Sequence, residues 1–562
     1  MAARSKVLHR RDFLRSLGLA AGVSIPELPI SETPATPTPA PTPTPTTTPT
    51  PSAPSPSTTA TASPPTPGAT TPAESPDAAP ASAAVVPIVA SPADRHLLSR
   101  FSYGVTQDLL ADAADAGTSA WFEDQLDPDS VADGFAGGLK AWWPHLSWTP
   151  QEMWNHDQSG DLPGWEQQDD FVRWTLLRRI YSKRQVHETM VEFWSNLLHI
   201  PAPLGKCFPH RLGYDATIRQ HALGTFEEML EAAILHPAML CYLDNAISTF
   251  TQVNENLGRE VLELHTVGRE AGFTEDEVSD SAMILTGWHV DVGQTWVASY
   301  HDEDHYTEPV SVLGFESENA QQDGREMSRQ YLRYLANHES TARRVAHRLA
   351  VRFVRDEPSD ELVNYLAGVF TDSGTDIRTT LRALVAHDEF LSSAGGKVRT
   401  PTEDTVNTFR VLEVVVTEPT GADSDAAHAI LTSTSTMGQR PFDWPRPDGF
   451  PDSAEAWSSA SRALGSWKIH KNLSKGIYPK TAVEYRPEDY WLLPMPVRFD
   501  VLVEHLSQRL LAQPATTQVI RAASKAVEVL ADEYVLASGT LVRTRIPDLL
   551  IALLDTPQHM MR

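Results

Sequence analysis

The densest run of chemically able side chains is Asn254-Glu255-Asn256-Leu257-Gly258-Arg259-Glu260-Val261-Leu262-Glu263-Leu264-His265-Thr266. Placed on a helix over 255–267, Asn256, Glu260, Glu263 and Leu264 share one face, and Arg259 meets Glu263 one turn on. Two inward carboxylates on one face can ligate a divalent metal or act as an acid/base pair, with His265 as a further catalytic candidate. His265 points about 200° away from Glu263 on a straight helix, so those two cannot hold one ion. Carboxylate–metal centres in helical bundles draw more ligands from other helices, commonly as Glu-x-x-His, and that spacing does not occur in this chain. The competing reading is a buried Arg–Glu network that fixes helix packing.

A second candidate is the acidic loop His301-Asp302-Glu303-Asp304-His305. Its alternating acids and imidazoles suit a divalent cation, and Asp302 and Asp304 project together if the segment is extended. It lacks the glycine and terminal glutamate of a calcium-binding helix-loop-helix, and a solvated turn is the plainer alternative. Folded onto the 255–267 helix, the loop would bring Glu260, Glu263, His305 and Asp302 together as ligands of a divalent metal.

Other chemistries find no support. His187-Glu188-Thr189-Met190-Val191 begins like a zinc-peptidase helix, but Val191 stands where the second imidazole is required. Glu188 and Glu192 then share a face that is expected to be solvated. There is no Gly-x-Ser-x-Gly, phosphate-binding loop or dinucleotide fingerprint. Trp142, Trp143, Trp148, Trp154 and Trp165 crowd one region and could stack on a glycan, although core packing accounts for most tryptophans.

The elements that must position these groups are helices. Over Trp165–Arg184, Phe171, Trp174, Leu177 and Ile180 recur at helical spacing, and similar periodicity runs from 92–101 through 540–553. Thr274 before Glu275-Asp276-Glu277 and Ser359 before Asp360-Glu361 read as helix starts. Strand-like sequence is confined to Trp296–Leu313, where 297–300 and 309–313 are expected to form a small hairpin. The expected fold class is mainly α: one large multi-helix domain, in one piece or two lobes divided near Gly395–Pro401 or Glu418–Asp425.

The Asn254–Thr266 string, followed by Phe273-Thr274-Glu275 and Leu285-Thr286-Gly287-Trp288, resembles the bacterial family catalogued as domain of unknown function 1800. Arg95–Phe101 with Tyr103-Gly104, His221–Phe226, His236–Leu240, Arg352-Phe353-Val354, Lys397–Glu403 and Asp448-Gly449-Phe450-Pro451 resemble it too, in order, over about residues 93–475. The resemblance implies a helical, commonly exported protein and carries no activity with it. Asn254, Glu255, Asn256, Arg259 and Trp288 belong to its structural motif. Where the family often shows Phe-Trp-His-Asn-His-Phe, this chain has Phe193-Trp194-Ser195-Asn196-Leu197-Leu198, and it has Tyr306 and Val310 where the family tends to have Asp and Lys.

Ahead of the helices lie an address and a tether. His9-Arg10-Arg11-Asp12-Phe13-Leu14 with the short apolar run after it resembles a twin-arginine export signal over 1–33, to be either removed or kept as an anchor. Residues 34–92 hold 18 of the 43 prolines, with only Glu74 and Asp77 charged, and read as a disordered spacer. A formal net charge of −27 excludes a nucleic-acid-binding surface, and no run is long and apolar enough to span a membrane. Cys207 and Cys241 could pair in an oxidising compartment or remain thiols. The sequence thus suggests an exported protein with a carboxylate/His pocket, metal-assisted, acting on an envelope or extracellular substrate. The rival is a non-enzymatic scaffold that binds a cell-wall glycan or an envelope protein.

Overall fold

Capping chemistry sets where the helices begin. Thr149, Thr274 and Thr400 each accept from a backbone N–H three residues on, while Glu152, Glu277 and Glu403 reach back to close a capping box. Ser359 caps Asp360–Asp372 in the same way, without the return bond. The computed structural model describes residues 86–202 and 208–562, so the expected export signal, nearly all of the expected spacer and Cys207 lie outside it. Its elements are overwhelmingly α-helices, from Pro92–Arg100 to Pro557–Met560, with strands only in two-stranded sheets among the described residues. The mainly α expectation holds.

Two hydrophobic cores organise these helices. The first gathers side chains from Leu98–Leu126, Val186–Ile200 and Tyr214–Phe390. The second gathers Ala136–Ile180 and Val406–Leu554. Tyr103 and Ala202 also join the second core and Ala512 the first, so the chain passes between them repeatedly, its longer changes falling within 127–135, 181–185 and 391–405. The last of these stretches contains the expected Gly395–Pro401 divide, but the second core also recruits the N-terminal Gly164–Tyr181 helix.

Charge is buried where the cores meet. Glu192 on Gln185–Leu197 pairs with Arg179 at 2.9 Å and Arg352 at 2.8 Å, and Arg352 also reaches Glu403 at 3.0 Å and Asp452 at 3.3 Å. Glu188 pairs with Arg178 at 2.8 Å and Arg219 at 2.9 Å. Glu188 and Glu192 are thus buried, not solvated as their spacing suggested, because guanidinium groups from other helices meet both. Burial pushes the Glu188 carboxyl up, yet Arg219 and Arg178 outweigh it and hold the group at about 2.

The expected hairpin splits in two. Residues 298–300 pair with Trp288–Val290, in the register Trp288↔Tyr300 and His289↔Ser299. Residues 310–312 pair instead with Phe315–Ser317. Leu313 and Gly314, both at positive φ, form the two-residue turn that suits a tight hairpin, and closing it orders far less chain than pairing across 301–309.

Candidate metal centre

The Asn254–Thr266 string is not a straight helix. One α-turn, Asn256–Glu260, runs into a wider π turn over Val261–His265, closed by Thr266 Oγ1 donating to the Val261 carbonyl at 2.6 Å. The string sits tight against its neighbour: a Cβ on Gly258 would lie 2.6 Å from the Ala282 backbone nitrogen. Its polar members brace the turn. Glu255 accepts from Ser279 at 2.6 Å, Asn254 N donates to Ser248 Oγ at 3.0 Å, and Asn256 reaches Asp244 at 3.4 Å.

The widened turn redirects the ion pairs. Arg259 meets Glu255 at 3.2 Å and Glu275 at 2.7 Å, while Glu263 pairs with Arg269 at 2.6 Å instead of with Arg259. Glu260 is half-buried, and that burial together with the neighbouring Glu263 pushes its carboxyl up. His265 is buried, with Nδ1 2.9 Å from the Leu197 carbonyl and Nε2 unpartnered. Burial holds its imidazole near 4, so it is neutral at pH 7.

His305 does not join Glu260 and Glu263. Its Nδ1 lies 3.2 Å from the Thr286 carbonyl, its Nε2 lies 3.1 Å from Asn319 Oδ1, and its ring fills the space a Cβ on Gly324 would need. Asp302 opens a 3-10 turn, Asp302–Asp304, so the strand alternation that would have set it beside Asp304 is absent. Trp288 donates from Nε1 to Ser328 Oγ at 3.1 Å and packs edge-on against Tyr300.

What the Trp288–Tyr300 hairpin does bring together is His289, His301 and Asp304. His289 Nε2 lies 3.1 Å from Asp304 Oδ2, and His301 Nδ1 lies 3.5 Å from the same oxygen. The two imidazoles stack with centroids 4.3 Å apart. Donor atoms bound to a tetrahedral ion at ordinary distances stand about 3.3 Å from one another, which is the spacing here. Nε2 of His289 is buried, and the Asp304 carboxylate is the group it faces. Burial and the neighbouring His301 hold the His289 imidazole below its ordinary pKa.

The surroundings fix these groups as an outer shell fixes metal ligands. Ser299 Oγ lies 3.0 Å from His301 Nε2, the Ala246 backbone hydrogen-bonds the His289 ring, and the Asp304 carbonyl accepts from Phe250 N at 2.9 Å. The His301 side chain is 44% exposed, so the cluster opens to solvent on that side. Sequence reasoning named the loop that carries His301 and Asp304 but chose Asp302 and His305 as its ligands, and it missed His289. Only the register His289↔Ser299 could have revealed it, and the expected pairing with 309–313 hid that register.

The fold and site define a class: a helical protein with two cores, carrying an open histidine/aspartate cluster on a small hairpin. The family model described as "Protein of unknown function (DUF1800)" matches residues 96–561, and the chain belongs to that family. No curated protein and no solved structure matches it. Among the described residues no helix is long and apolar enough to cross a membrane.

Proposed function

We propose that this is an exported protein that binds a divalent metal on His289, His301 and Asp304 and uses it on an envelope or extracellular substrate. The observation that carries the reading is the convergence of His289 Nε2 and His301 Nδ1 on Asp304 Oδ2, a cluster that a cation between them would make favourable. Three protein ligands on a solvent-facing rim leave coordination positions for water or substrate, as catalytic metal sites do. A bound ion would supply Lewis-acid polarisation or an activated water. The protein's own part is to hold the two rings and the carboxylate. Glu260, with its raised pKa, remains the candidate acid/base residue of the Asn254–Thr266 turn.

Metal analysis of the natively exported protein tests this. The wild type is expected to carry one more ion per chain than His289→Ala/His301→Ala; equal metal content in both would overturn the reading. Export rests on Arg10-Arg11. Replacing both by lysine should leave the protein inside the cell, and unchanged export would remove that part of the proposal.

A second reading, a glycan- or envelope-protein-binding scaffold, draws on the tryptophans. Trp165 is 67% exposed, and Trp148 stacks on His156 at 3.9 Å. Retention on isolated cell wall that falls in Trp148→Ala and Trp165→Ala would favour it. No retention by the wild type would exclude it.

A further inference from the structure

The second core contains another His/Asp cluster, and it is closed. Asp404 and Thr408 lie one turn apart on Pro401–Val411, and Arg462, Ser466 and His470 form an i, i+4, i+8 stripe on Ala460–Ser474. His559 arrives from the short Pro557–Met560 helix. Asp404, His470 and His559 are all buried to 2% exposure or less. Nε2 of His470 lies 3.2 Å from Asp404 Oδ1, and Nε2 of His559 lies 3.4 Å from the same oxygen. Those spacings again match the edges of a tetrahedron around an ion with nitrogen and oxygen ligands.

We infer that Asp404, His470 and His559 form a second metal site, closed and structural, for a zinc-class divalent ion. Two observations beyond the spacing carry it. His470 presents its other nitrogen, Nδ1, to Asp555 Oδ1 at 2.8 Å, the carboxylate–histidine arrangement that orients a metal-bound imidazole. His559 faces the Asn407 amide through Nδ1 at 3.3 Å, while Asn407 Oδ1 is buried with no hydrogen-bond partner. With that amide turned over, Oδ1 accepts from Nδ1–H and the Nε2 lone pair of His559 is free toward Asp404. Thr408 Oγ1, 3.2 Å from His559 Nε2, stands beside the site as a further oxygen.

The site's other neighbours complete its charge. Ser466 Oγ donates to Asp404 Oδ2 at 2.5 Å, and Arg462 lies 3.6 Å from the same oxygen, so the second carboxylate oxygen is engaged away from the ion. A cavity of about 20 Å³ lined by His559, Asn407 and Arg399 adjoins the cluster, enough for one water. With every donor shielded from solvent, the site's role is to staple three separate stretches of the second core, as structural metal sites do. Without an ion the same contacts are those of an imidazolium His470 that donates Nδ1–H to Asp555 and Nε2–H to Asp404, and that is the outcome the experiment must separate.

The test uses full-length protein whose hairpin cluster has been removed by His289→Ala/His301→Ala. This variant is expected to retain one zinc-class ion per chain, resistant to EDTA until the protein unfolds. Adding His559→Gln should lower that content at least tenfold. Should the triple variant fail to fold, cobalt loaded into the double variant by refolding gives the independent readout: an intense visible band of a tetrahedral N/O site is expected. A metal-free double variant that folds normally, or cobalt that gives no such band, overturns the inference. If wild type and double variant each hold the same single ion, this site stands and the hairpin reading falls.

Discussion

His289 Nε2 and Asp304 Oδ2 stand 3.1 Å apart, held by a hairpin on one side and a 3-10 turn on the other. A ring nitrogen that close to a carboxylate calls for positive charge between the two, a proton or a metal ion. From that contact comes a graded expectation for the groups behind the ligands. Ser299→Ala, which removes the hydroxyl 3.0 Å from His301 Nε2, should weaken zinc binding by about tenfold without unfolding the chain. Isothermal titration against the wild type checks it, and equal affinities would show that the serine does not orient the ring.

Acid should unfold this protein early. His199 and His265 are held near 4 by burial, against an ordinary value of 6.5. Their folded pKa values are depressed, so the stability tied to their neutral forms is complete above about pH 6.5 and is lost as pH falls toward 4. Each group contributes at most about 3 kcal/mol by this route. Urea midpoints measured from pH 7 to 4.5 should fall steeply, and less steeply in His265→Leu; parallel curves would deny His265 that role.

The buried charges at the seam make a larger claim. Glu403→Gln leaves Arg352 and Arg562, 3.0 and 2.9 Å away, short of a counter-charge in a buried site. The expected loss is about 3–5 kcal/mol in equilibrium unfolding. By contrast Glu263→Gln, which breaks a pair whose arginine is exposed, should cost less than about 1 kcal/mol.

Gly449 carries a steric prediction. It sits at φ +70°, and a Cβ there would lie 2.1 Å from the Asn196 carbonyl oxygen. Gly449→Ala should therefore destabilise the fold by about 1–3 kcal/mol. A thermal melt equal to wild type would mean that the Asp448–Pro451 loop is free to move away.

Glu260→Gln offers the opposite sign. Its carboxyl is pushed up by burial and by Glu263, so at pH 7 the folded chain bears an unfavourable charge there. The neutral amide should raise the melting temperature slightly at pH 7 and not at pH 4. A lower melting temperature at pH 7 would show that the charge has a stabilising partner.

What could be read ahead of the structure followed contact range. The helices were legible because each announces itself within its own residues, by caps such as Thr274 and by apolar spacing such as Phe171–Ile180. The burial of Glu188 and Glu192 was not, since Arg219 and Arg352 arrive from other helices. The hairpin ligands failed for the same reason on a smaller scale: His289 depends on a strand register, and a two-residue turn at Leu313-Gly314 takes away the strand expected to pair with 297–300. The π turn over Val261–His265 also escaped, because periodicity assumes 3.6 residues per turn and the pairing of Glu263 with Arg269 depends on its breaking down.

The repeated passage of the chain between its two cores bears on how the protein comes apart. Neither core can be released by cutting a single connection, and each contains strands of sequence whose neighbours are built into the other. Heating should accordingly give one calorimetric transition across 86–562 in place of two, and a protease that nicks one crossing should leave both halves bound together.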